Sequence, residues 1–337
     1  MNKKFKISVL GDGGWGTALA VVGARKQNEV LLWSAFPEYA ETLRQKRENV
    51  KFLPGVCLPE SLKITADLKE ALDFAEIVVL AIPTQYLRAV LHKVKEYHGG
   101  SKLFVSVAKG LEKKTCLRPS QIIYSLLGQE TPLVVISGPS HAEEVARNMP
   151  TLVVADGKHI GDAEKVQAAF ADTYFRIYSQ NDIPGVELGG ALKNVIAIAA
   201  GVCDGLQFGD NSKAGLITRG LLEMVRLGIR MGANPNTFYG LSGVGDLMTT
   251  CFSKHGRNLK VGRELGGGRK IAEILKGMEM VAEGVDTAMS VFQLCQELKV
   301  ELPLMHEVYR LCFEDKDPRQ AVQDLLGRDA REELKQY

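Results

Sequence analysis

Close to its start the chain reads SVLGDGGWGTALA, residues 8–20, with an apolar run before it and a helical pattern after it. Gly11, Gly13 and Gly16 fall at the spacing G-x-G-x-x-G. This is the most constraining feature of the sequence, because each glycine answers a separate steric demand. The first permits a tight strand-to-helix turn, and the second lets backbone approach a pyrophosphate. The third lets the helix pack closely on the strand. The helix N-terminus adds free N–H donors and a favourable dipole for a phosphate group. A loop of this kind opens the first unit of a doubly wound parallel sheet.

The following residues support that frame. After the helix predicted over 14–25, apolar runs recur at 29–33, 76–82, 102–108 and 133–137, each bounded by turn residues or charges and separated by helical patterns. Strands apolar on both faces and alternating with helices predict a parallel sheet covered on both sides. Residues 151–156 and 174–179 read as two last strands, running antiparallel. Beyond residue 180 the strand pattern nearly stops, and 187–204, 214–232, 270–276, 286–299 and 303–313 read as helices. The chain of 337 residues is long for one core. The reading is therefore an α/β dinucleotide-binding domain at 1–180 and an all-α domain at 181–337, with no Pro/Ser-rich linker.

Charge and composition exclude several classes. Lys and Arg number 42 against 40 Asp and Glu, a net charge of +2 that gives no reason to expect nucleic acid or an anionic membrane as partner. No apolar run reaches the ~20 residues that a membrane span needs. The N-terminal MNKKFKISVL reads as a first strand, not a signal peptide. Six cysteines without a C-x-x-C pair read as buried thiols of a reducing cytoplasm, and six scattered histidines offer no metal spacing.

Three later stretches carry chemistry. SVAKGLE (106–112) puts Lys109 past the C-terminal end of a core strand, the edge where open α/β sheets bind ligands. SGPSHAEEVA (137–146) ends another strand in a Gly-Pro turn and starts a helix near Ser140. In ELGGALKNVIAIAAGVCD (187–204), Lys193 and Asn194 are the only strongly polar side chains between the terminal acids. A helix apolar nearly all round is buried. A buried lysine needs a carboxylate or substrate to compensate it, and a lysine so placed suits proton transfer to a secondary alcohol. GLSGVGDLMTTCFSKHGRN (240–258) supplies the carboxylate: Asp246 and Thr250 are four apart, on one helical face, and Arg257 with Asn258 suits a phosphate group.

Taken in order, GDGGWGTALA, VAKGLE, SGPSHAEEVA, LGGALKNVIAIAAG, LSGVGDLMTTCFS…GRN and VAEGVDTA (281–288) resemble the NAD(P)-dependent glycerol-3-phosphate dehydrogenases of bacterial type over essentially the whole chain. The resemblance implies a Rossmann-like domain followed by an all-helical domain like the C-terminal domain of 6-phosphogluconate dehydrogenase. It implies interconversion of dihydroxyacetone phosphate and glycerol 3-phosphate with NAD or NADP, supplying phospholipid synthesis in the cytoplasm, and a homodimer. It makes Lys193 the general acid/base, oriented by Asp246, with Lys109 adding positive charge. Lys109, Gly138, Ser140, Asp246, Thr250, Arg257 and Asn258 match substrate positions. Gly11, Gly13, Gly14, Trp15, Gly16, Ala35, Lys109, Ala142, Arg257, Val281 and Glu283 match cofactor positions. Two other readings keep the same build: a two-domain hydroxyacid or ketoacid reductase, and a dinucleotide sensor without turnover.

Three positions depart from the family pattern. Gly14 replaces a frequent serine, Ala35 a basic residue, and Gly256 a serine before Arg257. The second strand ends LLWSAFPE, so no carboxylate closes it against a 2′-phosphate and no arginine there attracts one, although Arg25 and Lys26 were candidates to lie near. Comparable use of NADH and NADPH follows from that reading.

Overall fold

The computed structural model describes residues 4–97, 102–253, 256–278, 281–329 and 332. Its strands are β1 (Lys6–Leu10), β2 (Glu29–Trp33), β3 (Glu48–Asn49), β4 (Leu53–Cys57), β5 (Lys63–Thr65), β6 (Ile77–Leu80), β7 (Leu103–Ser106), β8 (Leu133–Ser137), β9 (Thr151–Gly157) and β10 (Phe175–Gln180). Eight of them form one sheet in the order β10-β9-β8-β7-β6-β1-β2-β5. From β5 to β8 neighbouring strands are parallel; β9 runs antiparallel to β8, and β10 lies parallel to β9. The apolar runs became fully buried strands because helices cover both faces of the sheet. β3–β4 and the edge strand β5 were not foreseen. They are two to five residues long, and LPGVC carries a Pro and a Gly that hide any alternation.

The chain runs from β1 to β2 on one side and returns through β6 on the other. This reversal makes a switch point above β1, and open sheets bind ligands in the crevice it creates. Gly11 lies there at φ 119°, and a Cβ on it would meet the Ala81 carbonyl at 2.4 Å.

Two compact units divide the chain: Met1–Lys109 with Arg118–Val186, and Gly110–Leu117 with Glu187–Tyr337. The change of character at residue 180 marks the end of β10, whereas the change of unit falls inside the helix Ile183–Gly205. Residues 110–117 pack with the second unit through side chains that no composition boundary announces. Leu111 is fully buried in its core, the Cys116 thiol lies 3.2 Å from Gln293 Oε1, and Lys113 pairs with Asp286 at 2.7 Å.

The second unit is built around the helix Ile183–Gly205. This helix shares one hydrophobic core with the helices Asp210–Arg230, Asp246–Phe252, Arg257–Gly266, Glu283–Leu298 and Pro303–Phe313. By length and composition alone Ile183–Gly205 is long and apolar enough to cross a membrane, which the sequence reading did not register, but its apolar window is entirely buried in the protein, as in a core helix. The helix Asp210–Arg230 starts before the predicted 214 and carries Glu223, whose carboxylate accepts the N–H groups of Leu304 (2.7 Å) and Met305 (3.0 Å). Burial pushes this carboxyl up to about 7, against the pull of the two N–H donors. All six cysteines are free; four are buried as expected, but Cys57 is exposed and Cys295 half-buried. Among the described residues no cluster of His, Cys, Asp and Glu has metal-site geometry.

Candidate active site

In the first unit the glycine loop closes on itself. A Cβ at Gly16 would meet the Gly11 carbonyl at 2.0 Å, so the helix Gly14–Arg25 starts against the turn. Gly13 is its N-cap, with no side-chain cap and no acid in the first turn. A Cβ at Gly13 would meet nothing within 4 Å. Open space above uncapped N–H donors fits a dinucleotide pyrophosphate. Ala142 borders the same loop, 3.5 Å from a Cβ built on Gly14. Trp15 packs inward, its ring 6.3 Å from that of Phe175. Ala35 is exposed beyond the end of β2.

That strand end differs from the sequence reading. The loop itself brings a carboxylate there: Asp12, nearly buried, accepts a hydrogen bond from Ser34 Oγ at 2.6 Å. Burial raises its pKa, opposed by the Ser34 hydroxyl and by the charge of Lys51. The acid was visible in GDGGWG, but it precedes the second strand in sequence and meets its end only through strand pairing. Arg25 and Lys26 are engaged elsewhere. Arg25 bonds the carbonyls of Val145 and Ala146 and faces Asp172 at 3.7 Å, and Lys26 Nζ donates to Ala171 O at 2.6 Å.

A second cluster in this unit joins Lys109, Gly138 and Ser140. Lys109 Nζ (3.1 Å) and Ser140 Oγ (2.9 Å) both donate to the Gly138 carbonyl. Gly138 takes φ 134°, where a side chain would also press on Val153. The Gly-Pro turn thus aims one carbonyl at two donors.

In the second unit Lys193 and Asp246 form an ion pair, their side chains 8% and 2% exposed. Thr250 Oγ1 accepts from Lys193 Nζ at 2.8 Å and donates to the Asp246 carbonyl at 2.7 Å. The hydroxyl expected to contact substrate also holds the lysine. Backbone proximity makes the pair possible. Gly189, one turn before Lys193, lets the Ser242 carbonyl approach to 2.3 Å of where a Cβ would stand. The π-helical turn Leu241–Gly245, unforeseen among its glycines, then delivers Asp246 at the start of the next helix. The carboxylate lets an ammonium remain charged inside the core. Nearby Cys251 is inert as a nucleophile, because burial drives its thiol up to about 12.

Arg257 and Asn258 start the helix Arg257–Gly266. Arg257 is exposed, and its Nη1 donates to Val281 O at 2.8 Å. Asn258 is buried, and its Oδ1 accepts the Gly284 N–H at 3.0 Å, next to Glu283 at the start of Glu283–Leu298. Gly284 also packs on the Asn194 carbonyl, which links this group to the residue after Lys193. Asn258 is thus a helix cap as well as a candidate phosphate donor, a role its position in the sequence did not suggest.

Residues 6–162 match the family described as NAD-dependent glycerol-3-phosphate dehydrogenase N-terminus, and residues 182–323 match its C-terminus. The chain belongs to the NAD-dependent glycerol-3-phosphate dehydrogenase family. It is 47% identical over 330 residues to glycerol-3-phosphate dehydrogenase [NAD(P)+] of Chlorobium phaeobacteroides, covering 97% of this chain and 99% of that one. A Bacillus pumilus protein of the same name is 47% identical over 331 residues, 98% and 96% of the two chains. The crystal structure of glycerol-3-phosphate dehydrogenase from Coxiella burnetii superposes with TM-score 0.93 at 38% identity, covering 96% of this chain and 99% of that one.

Within this dehydrogenase Gly14 and Gly256, positions where the resemblance implies serine, stand in different surroundings. A Cβ at Gly14 would lie 2.6 Å from the Phe52 carbonyl, whereas at Gly256 the nearest atoms are at 3.4 Å. Gly14→Ser is therefore expected to destabilise the protein by about 1–3 kcal/mol, as overpacking does, and to weaken dinucleotide binding. Gly256→Ser should stay within about 0.5 kcal/mol of the parent. Thermal midpoints of the two variants check this; equal midpoints would show that the segment around Phe52 yields freely.

Proposed function

We propose that Lys193 is the acid/base of a reaction that interconverts dihydroxyacetone phosphate and glycerol 3-phosphate, the activity of the family to which the chain belongs. The bound NAD or NADP nicotinamide supplies or accepts the hydride at C2. In the reductive direction the Lys193 ammonium donates a hydrogen bond to the C2 oxygen and then its proton. Asp246 and Thr250 hold the ammonium in place, and Asp246 keeps it charged while it waits. Lys109, steadied on the Gly138 carbonyl, adds positive charge where the alkoxide develops. Arg257 and the amide nitrogen of Asn258 bind the substrate phosphate. Gly11, Gly13, Gly14 and Gly16 cradle the pyrophosphate, with Trp15, Ala35, Ala142, Val281 and Glu283 completing the cofactor contacts.

The observation that carries this reading is the buried Lys193–Asp246–Thr250 set. A buried ion pair is a poor device for stability alone, since an apolar pair of the same volume serves as well. The phosphate site at Arg257 separates this activity from that of a reductase for unphosphorylated ketoacids. Loss of reduced-nicotinamide absorbance should be fast with dihydroxyacetone phosphate and at least ~10²-fold slower, in kcat/KM, with a panel of unphosphorylated ketoacids, given about 3 kcal/mol for charge-assisted phosphate bonds. A preference for the ketoacids would overturn the assignment, and no turnover with any of them would favour a sensor. The same reading extends, on family resemblance, to a cytoplasmic homodimer that supplies glycerol 3-phosphate for phospholipid synthesis.

A further inference from the structure

The end of β2 carries no acid of its own, but it does not lack one. The register pairs Leu10 with Trp33, and the Gly11 N–H donates to the Trp33 carbonyl at 3.1 Å, which sets Gly11 level with Ser34 and brings the next residue, Asp12, within reach of its hydroxyl. The Ser34 hydroxyl donates to the Asp12 carboxylate at 2.6 Å and accepts the Phe36 N–H at 3.2 Å. The backbone of Asp12 is tied down as well: its carbonyl accepts Asn49 Nδ2 at 2.7 Å and Thr17 Oγ1 at 3.2 Å. The carboxylate is thus held at the corner between the first βα turn and the second strand. Ala35 and the 67% exposed ring of Phe36 flank it, and Lys51 is the cation whose charge acts on it.

In doubly wound folds this corner receives the adenosine ribose. An acid there favours free 2′- and 3′-hydroxyls, and a 2′-phosphate would meet like charge. We propose that Asp12, carried by the glycine loop, takes the part of the absent strand-end acid and makes the enzyme prefer NADH to NADPH. This rests on the dinucleotide reading of the loop, and it replaces the expectation of comparable use drawn from the second strand alone. The position of the charge decides the matter, since a nearly buried carboxylate is screened far less than a solvated one.

Equilibrium titrations of the full chain with NADH and with NADPH, followed by calorimetry, test it without reference to turnover. The parent should bind NADH at least ~10-fold more tightly than NADPH, a difference near 1.4 kcal/mol. Asp12→Asn keeps an acceptor for Ser34 and removes the charge, so it should bring the two affinities within ~3-fold, mainly by tightening NADPH. Lys51→Ala, at an exposed position, should widen the preference for NADH. Equal affinities in the parent, or a ratio that neither variant moves, overturn the role of Asp12. If the parent binds neither dinucleotide, the reading of the loop itself fails, and the proposal falls with it.

Discussion

Lys193→Met should lower turnover by ~10²-fold or more while NADH binding stays close to that of the parent. The expectation follows from where the lysine stands. It is the one cation of a helix that is apolar over most of its length, bonded to Asp246 and Thr250, while the glycine loop that fits the dinucleotide pyrophosphate belongs to a different unit. Stability is part of the result. Removing one partner of a buried pair leaves the other uncompensated, at a cost of about 3–5 kcal/mol. The Asp246 side chain is only 2% exposed, so a lower thermal midpoint is expected. The double variant Lys193→Met/Asp246→Asn removes the stranded charge and should recover much of that midpoint without recovering turnover. Normal turnover in the single variant, with an unchanged pH profile, would remove Lys193 from the chemistry.

Arg257→Ala should raise KM for dihydroxyacetone phosphate by about 10- to 100-fold, the span of one or two charge-assisted hydrogen bonds to phosphate. Arg257 is exposed and uses Nη1 on the Val281 carbonyl, which leaves the rest of its planar fork to a ligand. Its truncation costs little folding energy, so the effect belongs to binding. With a ketone of similar size that lacks the phosphate, variant and parent should differ by less than ~3-fold. An unchanged KM would make Arg257 a tether for Val281 alone. Asn258 is a less clean probe, because its Oδ1 also accepts the Gly284 N–H and its loss would fray the helix Glu283–Leu298.

The features legible before the structure were those that depend on neighbours in sequence. Hydrophobic pattern marked β1, β2 and β6 to β10, and the glycine spacing marked the turn after β1. Asp246 and Thr250 share a face because they are four residues apart on a helix, and Lys193 stood out because only Asn194 beside it is strongly polar between Glu187 and Asp204. The same local logic missed β5, with its three residues, and the π-helical turn among the glycines at 241–245. Neither has a periodic pattern long enough to register, since both exist through what they pack against.

Sequence by itself thus determined the α/β and all-helical halves, the dinucleotide loop and the identity of the buried lysine, because each is encoded in short-range spacing and hydrophobic pattern. Tertiary structure alone decided which groups answer each other. Residues 110–117 join the second unit because Leu111 and Cys116 find their burial there. Thr250 holds Lys193 because the Gly189 surface admits the backbone of Ser242. Asp12 reaches Ser34, 22 positions away, because parallel pairing of β1 and β2 brings their ends level. Electrostatic partners are chosen by distance in space, and sequence spacing reports that distance only within a helix turn or a strand.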